Sequence, residues 1–228
     1  MESTSSNSVN QEISQVDGPK RPPLTFPSET ADFVKTIYSE NDIILEYGSG
    51  GSTVLASEMD NKIIVSTESD KQWAKDLESY IKNNPRTKSL PKILSVDIGQ
   101  TTHWGWPANY NRFNSFYSYS TQPWINYFGS ATDSLLLSNL SSEKEDHPDV
   151  ILIDGRFRLA CFLVSCFFCR KESTILFDDY TDRPHYEKAE IVSRPESFAG
   201  RMAIFQITPK KFTSREMELL FSCLTDPR

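Results

Sequence analysis

The sequence predicts an α/β fold, a doubly wound and mainly parallel sheet with helices on both faces. Three observations lead there. Short apolar runs alternate with amphipathic stretches from Asp42 onward, a glycine loop joins the first run to a helix, and carboxylates recur where successive runs end. Parallel strands buried on both faces read as continuous apolar runs, which is the form these segments take.

The first ordered element is a helix carrying Phe33, Val34, Ile37 and Tyr38 at helical spacing, with Ser28 as its expected cap. Strands follow at Ile43–Glu46, Ile63–Thr67, Ile93–Val96, Val150–Ile153 and Thr174–Phe177. Between the second and third strands, Trp73, Leu77 and Ile81 recur every four residues, predicting a one-faced helix over Lys71–Lys82 with Asp70 as its cap. The apolar stretch Leu159–Cys169 predicts a buried helix after the fourth strand. Asp182-Arg183-Pro184 reads as a helix start, Arg201–Thr208 as a further strand, and Thr213 with Glu216 as a capping box ahead of a last helix. Residues 101–128, rich in Trp, Tyr and Phe, fit neither period and read as an aromatic insert, either a lid over an acceptor or a packed loop. Ser141 to His147 reads as a charged loop.

A length of 228 residues suits one domain, expected over 21–228, behind a disordered polar tail over 1–20 that lacks the apolar positions needed to repay ordering. A net charge of -7 with no concentrated basic face argues against nucleic-acid binding and for a small-molecule partner. No apolar run approaches the roughly 20 residues of a membrane span, and the start lacks a signal peptide's order of charges, so a cytoplasmic location without membrane attachment is expected. Cys161, Cys166, Cys169 and Cys223 sit among apolar neighbours, as buried reduced thiols would. A metal site built on Cys166 and Cys169 would need a second ligand pair that is missing.

The loop Glu46-Tyr47-Gly48-Ser49-Gly50-Gly51-Ser52 lets a ligand approach the main chain at the start of a helix. The third glycine of the dinucleotide fingerprint would fall at Thr53, which weakens a nicotinamide-cofactor reading. Glu68, 22 residues after Glu46, stands where such folds place a ribose-binding carboxylate. Asp97 and Asp154 follow the third and fourth strands, Asp97 within reach of an adenine amino group.

These residues, with Ile153-Asp154-Gly155-Arg156-Phe157-Arg158 and Leu176-Phe177-Asp178-Asp179-Tyr180, resemble the class I S-adenosylmethionine-dependent methyltransferases, and within them a bacterial methyltransferase-like group. The resemblance covers about Asp42 to Thr208. It implies a Rossmann-like seven-stranded sheet with an antiparallel last strand and S-adenosylmethionine as cofactor. It implies further that Glu46, Gly48, Ser49, Gly50, Gly51, Ser52, Glu68, Asp97 and Asp154 form the cofactor site, with the glycine loop on the methionine part and Glu68 on the ribose.

Asp154, Asp178 and Asp179 end neighbouring strands, so three carboxylates converge as a hard cation requires. Catechol-type and macrocin-type O-methyltransferases are similar here, which implies a magnesium-assisted O-methylation. The catechol-type lysine base is missing, Phe157 standing there between Arg156 and Arg158, and arginine suits an anionic substrate rather than proton abstraction. The alternative for the aspartates is pairing with Arg156 or Arg183. Asp154, His103 and His185 are the candidate proton acceptors, and Trp104, Trp106, Arg156 and Arg158 the candidate substrate contacts. Two rivals share the cofactor residues in whole or in part: an adenosylmethionine-binding protein without transferase activity, and an NAD-dependent oxidoreductase.

Overall fold

The computed structural model describes residues 20–128 and 147–228. The tail expected over 1–20 lies outside the described residues apart from Lys20, as does the charged loop apart from His147.

Seven strands form one sheet: β1 (Ile43–Tyr47), β2 (Ile63–Glu68), β3 (Lys92–Ser95), β4 (Val150–Ile153), β5 (Ser173–Phe177), β6 (Ser197–Ala199) and β7 (Met202–Ile207). Their order is β3-β2-β1-β4-β5-β7-β6. Pairings from β3 to β5 are parallel, and β7 is antiparallel to both β5 and β6. This is the expected Rossmann-like α/β sheet with an antiparallel last strand. The chain leaves β1 toward β2 on one side and later returns to place β4 on the other, so a crevice opens at the carboxyl ends of β1 and β4.

Alternation along each strand divides the core. Ile44, Ile64, Val150, Leu152, Leu176 and Ile204 face Val34 and Tyr38 of α1 (Ser28–Glu40) and Ala56 of α2 (Gly51–Ser57). Leu45, Val65, Ile151, Ile153, Ile175 and Phe205 face a larger cluster built on α4 (Tyr117–Pro123), α5 (Arg158–Phe168) and α6 (Ser214–Cys223). Leu77 and Ile81 of α3 (Lys71–Asn83) pack with Val54 and Ile93. Each fully buried large apolar side chain contributes about 1.5–3 kcal/mol.

Local signals explain most boundaries. Asp70 caps α3, its carboxylate accepting from the N–H groups of Gln72 and Trp73, both at 2.9 Å. Thr213 and Glu216 form the expected capping box: the Glu216 carboxylate accepts from Thr213 N–H at 2.7 Å and the Thr213 hydroxyl from Glu216 N–H at 3.3 Å. Ser28 does not cap α1; it is the first helical residue, after Pro27. The segment from Pro184 to Ile191 is a 3-10 helix with Pro184 in its first turn. β6 lies outside the expected strands, being too short for periodicity, and a tight turn with Gly200 at φ +60° joins it to β7.

The aromatic insert is half core and half cover. Phe116, Tyr119, Trp124 and Phe128 are buried in the α5 layer, with α4 continued as a π-helix over Trp124–Phe128. That part is a packed helix rather than a lid. The earlier part, with 3-10 turns at His103–Gly105 and Phe113–Ser115, exposes Trp104, Tyr110 and Phe113. Among the described residues no helix is long and apolar enough to cross a membrane. All four cysteines are buried and unbridged, and no group of metal-ligating side chains forms around them among the described residues.

Candidate active site

The crevice between β1 and β4 is built backbone on backbone. Asp154 and Gly155 both donate to the Tyr47 carbonyl, at 2.9 and 2.6 Å, while Gly48 donates to the Thr67 carbonyl at 2.9 Å. Gly48 has φ +101°, and a Cβ there would lie 2.7 Å from Gly155 Cα, so glycine is required on both counts. At Gly155 an added Cβ would lie 2.1 Å from the Tyr119 hydroxyl. Gly51 faces the Pro23 carbonyl as closely, because the strap of chain before α1 crosses the start of α2. At Gly50, by contrast, an added Cβ would meet nothing within 4 Å, so this point of the loop faces open space.

Thr53, standing where the dinucleotide fingerprint has glycine, ties the loop to β1. Its hydroxyl accepts from Gly50 N–H at 2.9 Å and donates to the Glu46 carboxylate. The other Glu46 oxygen accepts from the Tyr38 hydroxyl at 2.7 Å. Glu46 is fully buried between α1 and α2; burial pushes its carboxyl up from the ordinary value, and the Thr53 and Tyr38 bonds oppose the rise. Its structural part is to hold the loop. Ser49 is fixed by its hydroxyl contact with Ser66 at 2.6 Å and by Trp73, whose ring N–H donates to the Ser49 carbonyl at 2.8 Å. Trp73 was legible in the sequence only as one member of a helical stripe. Ser52 is buried behind Glu46.

Glu68 closes β2 with its carboxylate turned back into the crevice. Oε1 accepts from Ser69 and Asp70 N–H at 2.7 and 2.8 Å, and Oε2 from Ser49 N–H at 3.3 Å. Burial raises its carboxyl and these amide bonds resist the rise. Oε2 therefore keeps acceptor capacity that is unused among the described residues. Asp97, exposed beyond β3, accepts from Gly99 N–H at 2.9 Å and pairs with Arg112 of the insert. Gly105 covers Glu68: a Cβ on it would lie 2.6 Å from Ser69 Oγ, 3.6 Å from Glu68 Oε1 and 3.8 Å from Arg156 Cγ.

The three aspartates at the ends of β4 and β5 do converge, but on guanidinium groups. Arg158 donates to the carbonyls of Gly155, Asp154 and Asp178 at 2.9, 2.8 and 2.8 Å, and to the Asp154 carboxylate at 3.1 Å. It also pairs with Asp179 at 3.1 Å. Arg201 grips Asp178 through two nitrogens at 3.1 and 2.9 Å and reaches Asp179 at 2.8 Å, while Arg183 pairs with Asp179 at 2.6 Å. At the expected magnesium site the Asp154, Asp178 and Asp179 carboxylates are thus paired with guanidinium groups, and no group of metal-ligating side chains forms among the described residues, so the structure gives the magnesium expectation no support. Arg158, expected on the substrate, is spent on the strand ends. Burial first, and then the neighbouring Asp178 and Asp179 charges, push the Asp154 carboxyl up to about 7 against the opposing pull of Arg158.

Arg156 behaves differently from Arg158. It is buried, its guanidinium lies 4.8 Å from the Trp106 ring centroid, and its Nε has no hydrogen-bond partner among the described residues. His103 is exposed on its 3-10 turn near Gly105, and Trp104 beside it is 79% exposed. His185 lies elsewhere, in a cavity of about 190 Å³ with Leu159, Lys188, Cys223, Asp226 and Arg228, apart from Glu68, Asp97 and Asp154. Two buried residues beside Arg156 and β2 were passed over by sequence reasoning. Tyr119 receives Arg156 N–H on its hydroxyl at 3.4 Å, and the Thr67 hydroxyl is buried without a partner among the described residues. Tyr119 was hidden among the ten aromatic residues of the insert, and Thr67 carries no sequence signal.

The chain is similar to the solved structure of a methyltransferase-like protein from Silicibacter pomeroyi. That protein is 34% identical to this chain, covers 91% of it with 99% of its own length, and superposes with a TM-score of 0.79. The chain belongs to this methyltransferase-like family. A likeness to a predicted O-methyltransferase from Agrobacterium tumefaciens covers 82% of this chain and 91% of that one, but at 10% identity and a TM-score of 0.39 it is too loose to bear on function. No family model and no curated protein matches the chain. For this methyltransferase-like protein, the strand-end carboxylates and the glycine loop therefore stand in a fold shared along almost its whole length with the Silicibacter protein.

Proposed function

We propose that this protein is an S-adenosylmethionine-dependent methyltransferase acting on a small-molecule acceptor, without a magnesium ion at the strand ends. The observation that carries the proposal is Glu68: a buried carboxylate at the end of β2, oriented by three backbone N–H groups and left with acceptor capacity on Oε2. The fit extends to the glycine loop, where Gly50 offers open space beside backbone held by Thr53 and Trp73. Gly48, Ser49, Gly51 and Ser52 shape that loop, Glu46 anchors it, and Asp97 stands on the adenine side.

The cofactor, when bound, supplies an electrophilic methyl group on a sulfonium. The protein's work is positioning, exclusion of water and acceptance of one proton. Glu68 holds the ribose hydroxyls by charge-assisted hydrogen bonds. Tyr119 packs its hydroxyl against Gly155, and Trp106 lies under the Arg156 guanidinium. The Asp154 carboxyl, pushed up to about 7, is poised to take a proton from a hydroxyl or amine acceptor near neutrality. His103, on the exposed turn, and His185, in its separate cavity, rank behind it as proton acceptors. A cytoplasmic setting without nucleic-acid or membrane partners goes with this reading.

Calorimetric titration with S-adenosylmethionine, S-adenosylhomocysteine and NAD tests it. The wild-type protein binds the first two and not NAD, and Glu68→Ala lowers the affinity at least tenfold, as expected for charge-assisted bonds worth about 1.5–3 kcal/mol each. Preference for NAD, or equal binding by Glu68→Ala, defeats the proposal. A binding protein without transferase activity would bind the cofactor identically and yield no methylated product from any acceptor.

A further inference from the structure

We infer that Arg156, laid on Trp106, is a receptor for one carboxylate in the methyl-transfer crevice, an inference that rests on the function proposed above. The carboxylate comes either from the amino-acid end of the cofactor or from the acceptor.

The argument begins with a charge balance. Three carboxylates, Asp154, Asp178 and Asp179, meet three guanidiniums, Arg158, Arg183 and Arg201. Arg156 is a fourth guanidinium at the same edge of the sheet, only 6% exposed; it makes no ion pair among the described residues and its Nε has no hydrogen-bond partner there, while Glu68, the remaining acid of the crevice, is held by backbone N–H groups. Burying a cation without its anion costs several kcal/mol, a cost that a bound anion offsets. Burial, and then the charge of Arg158, already pull the Arg156 guanidinium below its ordinary value.

Geometry selects the anion. The guanidinium carbon sits over the face of the Trp106 ring, 4.8 Å from its centroid, a contact that uses none of the N–H donors in a conventional hydrogen bond. A guanidinium fork matches a planar carboxylate with two parallel bonds. Position selects the crevice. The same point on Gly105 lies 3.6 Å from Glu68 Oε1 and 3.8 Å from Arg156 Cγ, so the guanidinium stem flanks the ribose-binding acid. The two remaining signs of a ligand site are here as well: the Thr67 hydroxyl and Arg156 Nε are both buried polar groups without partners among the described residues.

The test uses the full chain labelled with nitrogen-15, in which the Arg156 Nε–H resonance is assigned by its disappearance in Arg156→Gln. Sodium formate shifts that resonance and sodium chloride at equal ionic strength does not. Binding of S-adenosylhomocysteine and of 5′-methylthioadenosine, which lacks the carboxylate, is then measured by calorimetry on both proteins. If the cofactor supplies the carboxylate, S-adenosylhomocysteine binds the wild type at least tenfold more tightly than methylthioadenosine, and Arg156→Gln abolishes that difference without weakening methylthioadenosine. If the acceptor supplies it, Arg156→Gln leaves both affinities unchanged and formate still shifts the resonance in protein saturated with S-adenosylhomocysteine. Absence of a formate-specific shift together with unchanged affinities overturns the inference. Failure of the wild type to bind any adenosyl compound defeats the proposed function instead, and the formate response is read independently of it.

Discussion

Replacing Arg158 by methionine separates a structural arginine network from a metal site. The side chain is 3% exposed, donates to three backbone carbonyls and bridges Asp154 to Asp179. Methionine keeps much of the volume and removes every donor. Breaking a buried ion pair from one side costs about 3–5 kcal/mol, because the carboxylates stay behind. For a domain of this size each kcal/mol lowers Tm by about 2–4 °C, so Arg158→Met is expected to melt roughly 6–20 °C below the wild type. Arg158→Lys keeps the charge without the fork and should fall between the two. Urea unfolding followed by circular dichroism gives the free energies. Magnesium chloride should not stabilise the wild type, whereas a site filled to 100 times its Kd would add about 2.7 kcal/mol. A loss below about 1 kcal/mol in Arg158→Met, or magnesium stabilisation that Asp154→Asn removes, refutes the reasoning.

Two further perturbations probe the glycine loop and the pH response. Gly155→Ala places a methyl 2.1 Å from the Tyr119 hydroxyl and 2.8 Å from Gly48 N, an overpacking expected to cost about 1–3 kcal/mol in urea unfolding. Gly50→Ala meets nothing within 4 Å, so stability should stay within about 0.5 kcal/mol while S-adenosylhomocysteine affinity falls; unchanged affinity would remove Gly50 from the cofactor cradle. His147 is buried with Nε2 accepting from Arg170 N–H and Nδ1 facing the Pro148 carbonyl, both at 3.0 Å, an arrangement that requires the neutral ring. Burial lowers its pKa below the unfolded value near 6.5, so the unfolded chain takes up the proton first. Its contribution is present above that value and lost as pH falls below it. Urea midpoints should therefore drop more between pH 7 and pH 5 in the wild type than in His147→Gln, and equal drops would exclude His147 as a source.

The strand and helix alternation, the Asp70 cap, the Thr213–Glu216 capping box and the carboxylates at strand ends were legible because each depends on residues within a turn or two of one another. Glu68 was legible for a related reason, since its interval from Glu46 is set by one strand-helix-strand unit. The arginine partners of the strand-end aspartates were not legible, because there locality ended. Asp154, Asp178 and Asp179 could be placed together from strand ends, but Arg201 reaches Asp178 from across the β5–β7 pairing, 23 residues on, and no period or spacing announces it. The insert was unreadable for a different reason. Its apolar residues serve the α5 layer at Phe116, Tyr119, Trp124 and Phe128 and the surface at Trp104 and Phe113, so two demands are mixed in one stretch.

By itself, then, the sequence determined the α/β class, the order of the elements and the edge of the sheet at which ligands gather, because strand and helix periodicity are properties of neighbouring residues. Tertiary structure alone decided which cations and anions meet. Arg158 lies two residues from Arg156 and both are buried, yet one is saturated by strand-end carbonyls and aspartates while the other lies over the Trp106 ring with no ion pair among the described residues. The difference arises from where α5 starts and from chain segments brought together across the sheet, and electrostatic partnership is a matter of those distances.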